Sequence, residues 1–138
     1  EICSHPVAYI RIHTLFENAS PDAHGDIAKV VLWCARHFQM LPASQIQHHH
    51  EPGGLMCHFL EVAGNAVGLW SQLPRDTISG ADQSRARVPW QVALVIASAA
   101  HDAGKLLVDF DVQEYDVALP ATIREDKRWT PFQESLYD

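Results

Sequence analysis

The sequence predicts a single all-α domain, and three observations support that fold class. Apolar residues recur at intervals of three and four over two long segments, as on one face of an α-helix. A third segment, residues 89–100, is apolar at almost every position and rich in alanine, which favours a buried helix over a strand. Each segment is followed by a helix-ending residue: Pro42, Pro74 and Gly104.

The length and composition are those of one globular domain. The 138 residues are enough to bury a hydrophobic core, and 47% of them are hydrophobic while 20% are charged. The first residue is Glu1 and not methionine, so we expect residues 1–138 to be one domain of a longer chain. No apolar run approaches the ~18 residues of a membrane span and no basic-then-apolar leader is present, so we expect no membrane segment.

The cysteine and charge content points to a cytoplasmic protein that binds cations. Cys3, Cys34 and Cys57 show no C-x-x-C spacing, which indicates reduced thiols and a cytoplasmic location. The net charge of −7 argues against a surface built for nucleic-acid phosphates, which normally needs a basic stripe. Four of the nine histidines crowd into eleven residues: His48, His49, His50 and His58.

The first predicted helix follows Ser20-Pro21-Asp22. This tripeptide combines an N-cap residue, a first-turn proline and an acidic side chain at the positive end of the helix dipole. Pro42 is predicted to end the helix, and residues 43–54 predict a loop that carries the histidine run. The apolar stripe of the helix consists of Ile27, Val30, Val31, Cys34, Phe38 and Leu41.

The second predicted helix has the clearest pattern, because one stripe of it is apolar from Leu55 to Leu73. At ~100° per residue, His58 lies about 60° from Leu55, at the edge of this buried stripe. Pro74 ends the helix, and residues 75–88 predict a polar linker because they show no periodicity.

The third predicted helix runs from Pro89 to the helix breaker Gly104. It is apolar nearly all round, so we expect it to be central and buried. His101 and Asp102 then lie in its last turns, and the small residues before them would allow close approach of a neighbouring helix.

The C-terminal part of the sequence predicts shorter elements. Residues 108–112 and part of 115–119 alternate with period two, which predicts a small β-hairpin. Residues 130–133, Thr-Pro-Phe-Gln, match a capping box with proline at the first helical position, so another helix is predicted to begin there.

The chemical prediction starts from the adjacent pair His101 and Asp102. An ionised aspartate and a neutral histidine in a buried helix are costly unless a partner satisfies them, and a divalent cation does so. Imidazole nitrogen and carboxylate oxygen suit Zn, Mn, Fe or, with water, Mg. His58, on a second helix, is the natural further ligand. The alternatives are a buried hydrogen-bonded pair at 101–102 and a core histidine at 58.

Further residues are assigned around this ion. Lys105, three residues after Asp102, is expected to reach a phosphate oxygen. The alternative is that it only interacts favourably with the helix dipole, as lysines at a helix C-terminus often do. The histidine run is either a solvated loop or a source of ligands for a second ion. We assign His49 as a metal ligand and His50 as a catalytic residue. A bound metal would lower the pKa of water to ~7 and act as a Lewis acid on a phosphoryl group.

Two blocks of the sequence resemble the HD phosphohydrolase superfamily. His-Asp-Ala-Gly-Lys at 101–105 is similar to the H-D-x-G-K core of that superfamily, and it follows an apolar helix. Residues 53–58, Gly-Gly-Leu-Met-Cys-His, with the following Leu60-Glu61-Val62-Ala63, resemble its upstream first-histidine helix. The resemblance implies an all-helical HD-type core that binds a divalent metal through His58, His101 and Asp102.

A narrower resemblance covers most of the chain. Residues 41–44, the histidine run, Gly53-Gly54, His58, the block at 101–105 and residues 129–131 together resemble the TraI-type relaxases of the MobH class, which are found on conjugative plasmids and integrative elements. The resemblance implies metal-dependent nicking of one DNA strand at a transfer origin. It also implies DNA and other conjugation proteins as partners.

The sequence departs from these families in two respects. HD domains close their metal site with a later aspartate, and we expect this ligand to lie outside the 138 residues, because Asp109, Asp111 and Asp116 follow the motif too closely and Asp138 is terminal. The acidic net charge also leaves the DNA-binding surface unexplained.

Two other functions remain open, as does the nucleophile. The first is a nucleotide phosphohydrolase or 3′–5′ exonuclease that uses the same residues, and the second is a non-catalytic HD-fold binding module. The nucleophile is either water or a tyrosine, and no local feature selects among Tyr9, Tyr115 and Tyr137.

Overall fold

The computed structural model describes residues 6–38, 40–46, 48–73, 80–110, 112–115 and 123–128, and for 80–85, 113–115 and 123–128 it describes the backbone alone. The predicted all-α class is confirmed, with one small sheet at the C-terminal end. The elements in order are α1 (Pro6–Asn18), a 3-10 turn (Pro21–Ala23), α2 (His24–Phe38), α3 (Gly54–Gln72), α4 (Gly80–Ala103), α5 (Lys105–Val108), β1 (Gln113–Tyr115) and β2 (Ile123–Arg128).

Helix α3 is the centre of the core. Helices α1 and α4 pack against it, and α2 packs against both α4 and α3. Phe59 of α3 meets Phe38 of α2 edge to face, with ring centroids 6.0 Å apart. Further large apolar side chains that are fully buried come from every described α-helix: Leu15, Ile27, Leu55, Leu60, Val67, Val95 and Leu106.

Helix α2 is close to its prediction, with two differences. Its first turn is 3-10, and Ser20 stands at the N-cap position without a side-chain cap; its backbone N–H instead donates to Gln91 Oε1 at 2.9 Å. The helix ends at Phe38 and not beside Pro42, because the chain turns there, with the N–H of Leu41 donating to the Phe38 carbonyl. Leu41 is buried in the core, but it belongs to the loop after α2 and not to the helix.

Helix α4 begins earlier than the sequence predicts. The predicted linker 75–88 is wrong from Gly80 onward, because residues 80–88 are already helical and Pro89 lies inside the helix. A polar segment without periodicity fits a linker and an exposed helix equally well, so the pattern could not distinguish them.

The expectation that α4 is buried all round is also wrong. Gln91, Val95 and Asp102 face the interior, whereas Trp90 and Ile96 are each half exposed. The interior face of the helix therefore combines apolar Val95 and Ala99 with polar Gln91, Ser98 and Asp102.

The stretch Ala86–Val108 is long and apolar enough to cross a bilayer by length and composition alone. The sequence prediction considered unbroken apolar runs, and Gln91, Ser98, His101 and Asp102 interrupt this stretch, so it is a weak candidate for a membrane span. One third of it, 33%, is buried within the described part of the chain.

The predicted hairpin exists in part, but at other residues. Val108 ends the short helix α5, and Asp109, Phe110 and Val112, the described residues that follow it in this segment, lie in no strand. The observed antiparallel pair is β1 with β2, in which Gln113 lies opposite Arg128 and Tyr115 opposite Ile123. Residues 116–120 and the helix predicted at 130–133 lie outside the described residues.

Cys34 and Cys57 are free and buried, in agreement with the predicted reduced thiols. Burial raises the pKa of Cys34 to about 12 and also raises the pKa of Cys57. At pH 8 the reactive thiolate of Cys34 should be about a thousandfold scarcer than for a cysteine of pKa 9.0.

We therefore expect both thiols to resist iodoacetamide in the folded protein at pH 8 and to react fully in denaturant. The measurement is mass spectrometry of the Cys3→Ser variant, which leaves these two cysteines as the only targets. Rapid labelling of the native protein would contradict the buried positions.

The Phe59→Ala variant should lower the free energy of unfolding by about 3–5 kcal/mol, because it leaves a cavity in the centre of the core. Urea unfolding followed by circular dichroism measures this change. Leu69→Ala is the matched control on the same helix: Leu69 is 66% exposed, so its loss should change the free energy of unfolding by less than about 0.5 kcal/mol. Equal effects of the two substitutions would contradict the observed core.

Candidate metal centre

The first turns of α3 and the last turn of α4 meet and bring three ligand-type side chains together. The Nε2 atoms of His58 and His101 each lie 3.3 Å from Asp102 Oδ2. The ligand atoms that the three residues offer are all within 4.8 Å of one another. The structure therefore brings together the residues that the sequence predicted to meet across two helices.

The carboxylate of Asp102 is the deepest group of this cluster, because only 4% of the residue is exposed. Its Oδ1 atom accepts a bond from Lys105 Nζ at 2.8 Å. Its Oδ2 atom is buried and has no hydrogen-bond partner in the described part of the chain, although two imidazole nitrogens lie close by. A buried carboxylate oxygen flanked by two ring nitrogens fits a divalent cation, which would satisfy all three atoms.

Both histidines present a ring nitrogen suited to a metal. Burial lowers the pKa of His58, while the charge of Asp102 opposes this shift, so the neutral form of the ring, which has a lone pair to offer, is favoured. The Nδ1 atom of His101 lies 2.7 Å from the carbonyl oxygen of Ser98. Because a carbonyl only accepts, Nδ1 is the donor, and in the neutral form of the ring Nε2 then has a lone pair on the side of Asp102.

The ammonium group of Lys105 has two hydrogen-bond partners within the protein. Its ammonium group donates to Asp102 Oδ1 and, at 2.9 Å, to the carbonyl oxygen of Ala43 in the loop after α2. Lys105 therefore neutralises and orients the buried carboxylate and fastens the loop to the end of α4.

The histidine loop packs against His58. The ring centroids of His48 and His49 lie 5.2 and 5.5 Å from that of His58. His49 Nε2 also lies 2.8 Å from Glu61 Oε2, and the same oxygen accepts from Arg11 Nη2 at 2.9 Å. Hydrogen bonding to His49 and the nearby Arg11 lower the pKa of Glu61, so this carboxylate is ionised. His49, His58 and Glu61 form a second group whose ligand atoms lie within 4.8 Å of one another.

Two glycines hold the loop against α3. Gly53 has φ of +80°, a conformation that other L-residues rarely adopt. A Cβ atom at Gly54 would overlap the carbonyl oxygen and carbon of His49. That carbonyl oxygen accepts a bond of 2.8 Å from the Ala43 N–H, so the glycines bring the loop backbone into direct contact with the start of α3.

Comparison with known proteins gives one family. The TraI_2 family, described as "Putative helicase", has a model that matches residues 26–138. The chain belongs to the TraI_2 family. No curated protein and no solved structure matches the chain. Membership in this family suggests a conjugation-related function of the relaxase or helicase type, with DNA and transfer proteins as partners.

This TraI_2 chain places most of the predicted site residues together. His58, His101 and Asp102 form one group, His49 belongs to the adjacent one, and Lys105 contacts Asp102. His50 is exposed and, unlike its neighbour His49, belongs to neither group.

Two residues of the centre were not assigned a role from the sequence. Glu61 stands three positions after His58 on α3, a spacing that puts both on one helix face and could have identified it. Arg11 gave no such signal, because it lies on α1, 46 positions before Cys57, whose carbonyl oxygen it contacts at 2.7 Å. Residues 6–18 of α1 also precede the part of the chain that the TraI_2 model matches.

The Gly54→Ala variant should lower the free energy of unfolding by about 1–3 kcal/mol, because its methyl group would displace the His49 backbone. Urea unfolding measures the loss. Gly64→Ala is the control on the same helix: no atom lies within 4 Å of its added Cβ, and alanine should stabilise the helix by about 0.5–1 kcal/mol. A neutral Gly54→Ala substitution would contradict the observed contact.

Proposed function

We propose that this TraI_2 domain is an HD-type relaxase domain of the MobH class, which cleaves one strand of DNA at a transfer origin with the help of a divalent metal. The observation that supports it best is the Oδ2 atom of Asp102, a buried carboxylate oxygen that lies 3.3 Å from two imidazole nitrogens and has no hydrogen-bond partner among the described residues. DNA and other transfer proteins are the proposed partners, and the proposed location is the cytoplasm.

In this proposal His58, His101 and Asp102 hold the metal ion. Two nitrogens and one oxygen suit Mn, Fe or Zn, and also Mg when water completes the shell. The ion would supply Lewis-acid stabilisation of phosphoryl oxygens and a lowered pKa of bound water. Lys105 orients the Asp102 carboxylate through its 2.8 Å contact with Oδ1, which makes it a positioning residue in place of the phosphate contact predicted from the sequence.

The substrate would approach from the side of His101, whose side chain is 44% exposed, whereas that of His58 is 18% exposed. The net charge of −7 repels a phosphate backbone, and this repulsion is weaker at a site where a divalent ion adds positive charge. His48 and His50, exposed in the adjacent loop, add positive charge there when protonated, and this is the role proposed for His50.

A tyrosine nucleophile is an alternative to water in this proposal. Tyr9 is 58% exposed on α1. The side chain of Tyr115 and the whole of Tyr137 lie outside the described residues. Water is the nucleophile that the buried ligand cluster favours, because an ion held by His58, His101 and Asp102 would activate it directly.

A second candidate function is hydrolysis of a nucleotide or of a short single strand. The acidic net charge favours it, because a small phosphate ester meets less repulsion than a long duplex. A motor function is not part of the proposal, since residues 1–138 contain no G-x-x-x-x-G-K-[ST] motif for cradling nucleotide phosphates.

The full chain should nick supercoiled DNA that carries its transfer origin when Mn²⁺ or Mg²⁺ is present, and chelation should abolish nicking. Asp102→Asn, which removes one proposed ligand without changing its size, should reduce the rate at least about 100-fold. Gel electrophoresis of the plasmid measures both effects.

Asp26→Asn is the matched control for the nicking assay, because Asp26 is an exposed residue of α2 whose carboxylate contacts Lys29. Nicking that continues at the normal rate in Asp102→Asn would overturn the proposed site. An intact plasmid together with metal-dependent hydrolysis of free nucleotides or short single strands would instead select the second candidate.

A further inference from the structure

The group formed by His49, Glu61 and His58 lies beside the proposed metal site and shares His58 with it. We propose that these three residues form a second divalent-cation site, so that the centre holds two ions. The inference rests on the function proposed above, in which the first group binds a metal, and it assigns a ligand role to Glu61.

The second group has the same donor chemistry as the first. Each offers two imidazole nitrogens and one carboxylate oxygen, and in each the ligand atoms lie within 4.8 Å of one another. His58 is common to both groups. Because a neutral imidazole offers a single lone pair, His58 can ligate both ions only as a bridging imidazolate that has also lost its remaining N–H proton, and this cost falls on the second ion.

The loop backbone holds His49 in one place. His49 has φ of +58°, in the left-handed region that few residues other than glycine adopt. Its carbonyl accepts the Ala43 N–H and abuts Gly54, and its side chain is only 14% exposed. A solvated loop histidine would need none of these constraints. Strained backbone of this kind is concentrated at functional sites.

Arg11 sets a limit on the affinity of the second site. Its guanidinium lies 2.9 Å from Glu61 Oε2, and a positive charge so close to a ligand disfavours a cation there. The second ion must also share His58. We therefore expect it to bind more weakly than the ion held with Asp102.

A two-ion centre would fit the strand cleavage proposed for this domain. Pairs of divalent ions recur in phosphatases, polymerases and nucleases, and also in aminopeptidases.

The test is the number of Mn²⁺ ions bound by the full chain at saturation, measured by isothermal titration calorimetry and by electron paramagnetic resonance of the free ion. The wild-type chain should bind two ions. Glu61→Gln and Asp102→Asn should each bind one, and His58→Ala should bind none. Circular dichroism checks that each variant is folded.

Two control variants separate a ligand from a structural partner. Arg11→Gln removes the ion pair with Glu61 but keeps the carboxylate, so it should still bind two ions, with the weaker one held at least as tightly as in the wild type. Glu17→Gln removes an exposed carboxylate of α1 that contacts only His13 among the ion pairs of the described residues, and it should bind two ions with unchanged affinity.

The outcomes distinguish the two proposals. A single ion in the wild type, two ions in Glu61→Gln, or loss of an ion in Arg11→Gln would overturn the second site. A single wild-type ion that is lost in Asp102→Asn and kept in Glu61→Gln would leave the first site standing. Loss of an ion in Glu61→Gln but not in Asp102→Asn would instead remove the basis of the proposed function.

Discussion

The buried carboxylate of Asp102 is the group on which the arrangement of this domain depends. Removing an ionised carboxylate from water costs several kcal/mol unless opposite charge and hydrogen bonds compensate. Lys105 compensates one oxygen, and the same ammonium group reaches the Ala43 carbonyl in the loop after α2. The other oxygen faces two histidines. The end of α4, the start of α3 and the histidine loop must therefore meet at this point.

The residues that stabilise the helical core also position the side chains of the candidate centre. The lack of a side chain at Gly54 allows the His49 backbone to pack against α3. Phe59, the residue after His58, lies in the middle of the core. Helix α1 also takes part, because Arg11 contacts Glu61 and the Cys57 carbonyl, although α1 lies outside the family match. The same packing that stabilises the helices thus places the ligand-type side chains.

Much of the fold could be predicted from local sequence patterns, and the errors of that prediction share one cause. The periodicity from Leu55 to Leu73 located α3, and Gly104 marked the end of α4. The start of α4 and the strand positions were wrong, since residues 80–88 lack periodicity although helical, and the alternation at 108–112 belongs partly to α5. Short-range patterns report which face of an element is apolar, and they say little where an element is exposed or very short.

By itself, the sequence determined that His58, His101 and Asp102 would lie at the ends of two packed helices, because helical spacing and the two motif blocks are local properties. Tertiary structure decided which further groups join them. Glu61 of α3 contacts His49 of the loop and Arg11 of α1, and Lys105 reaches the Ala43 carbonyl. Such contacts join residues far apart in the chain, and their existence depends on the packing of whole helices, which no local pattern contains.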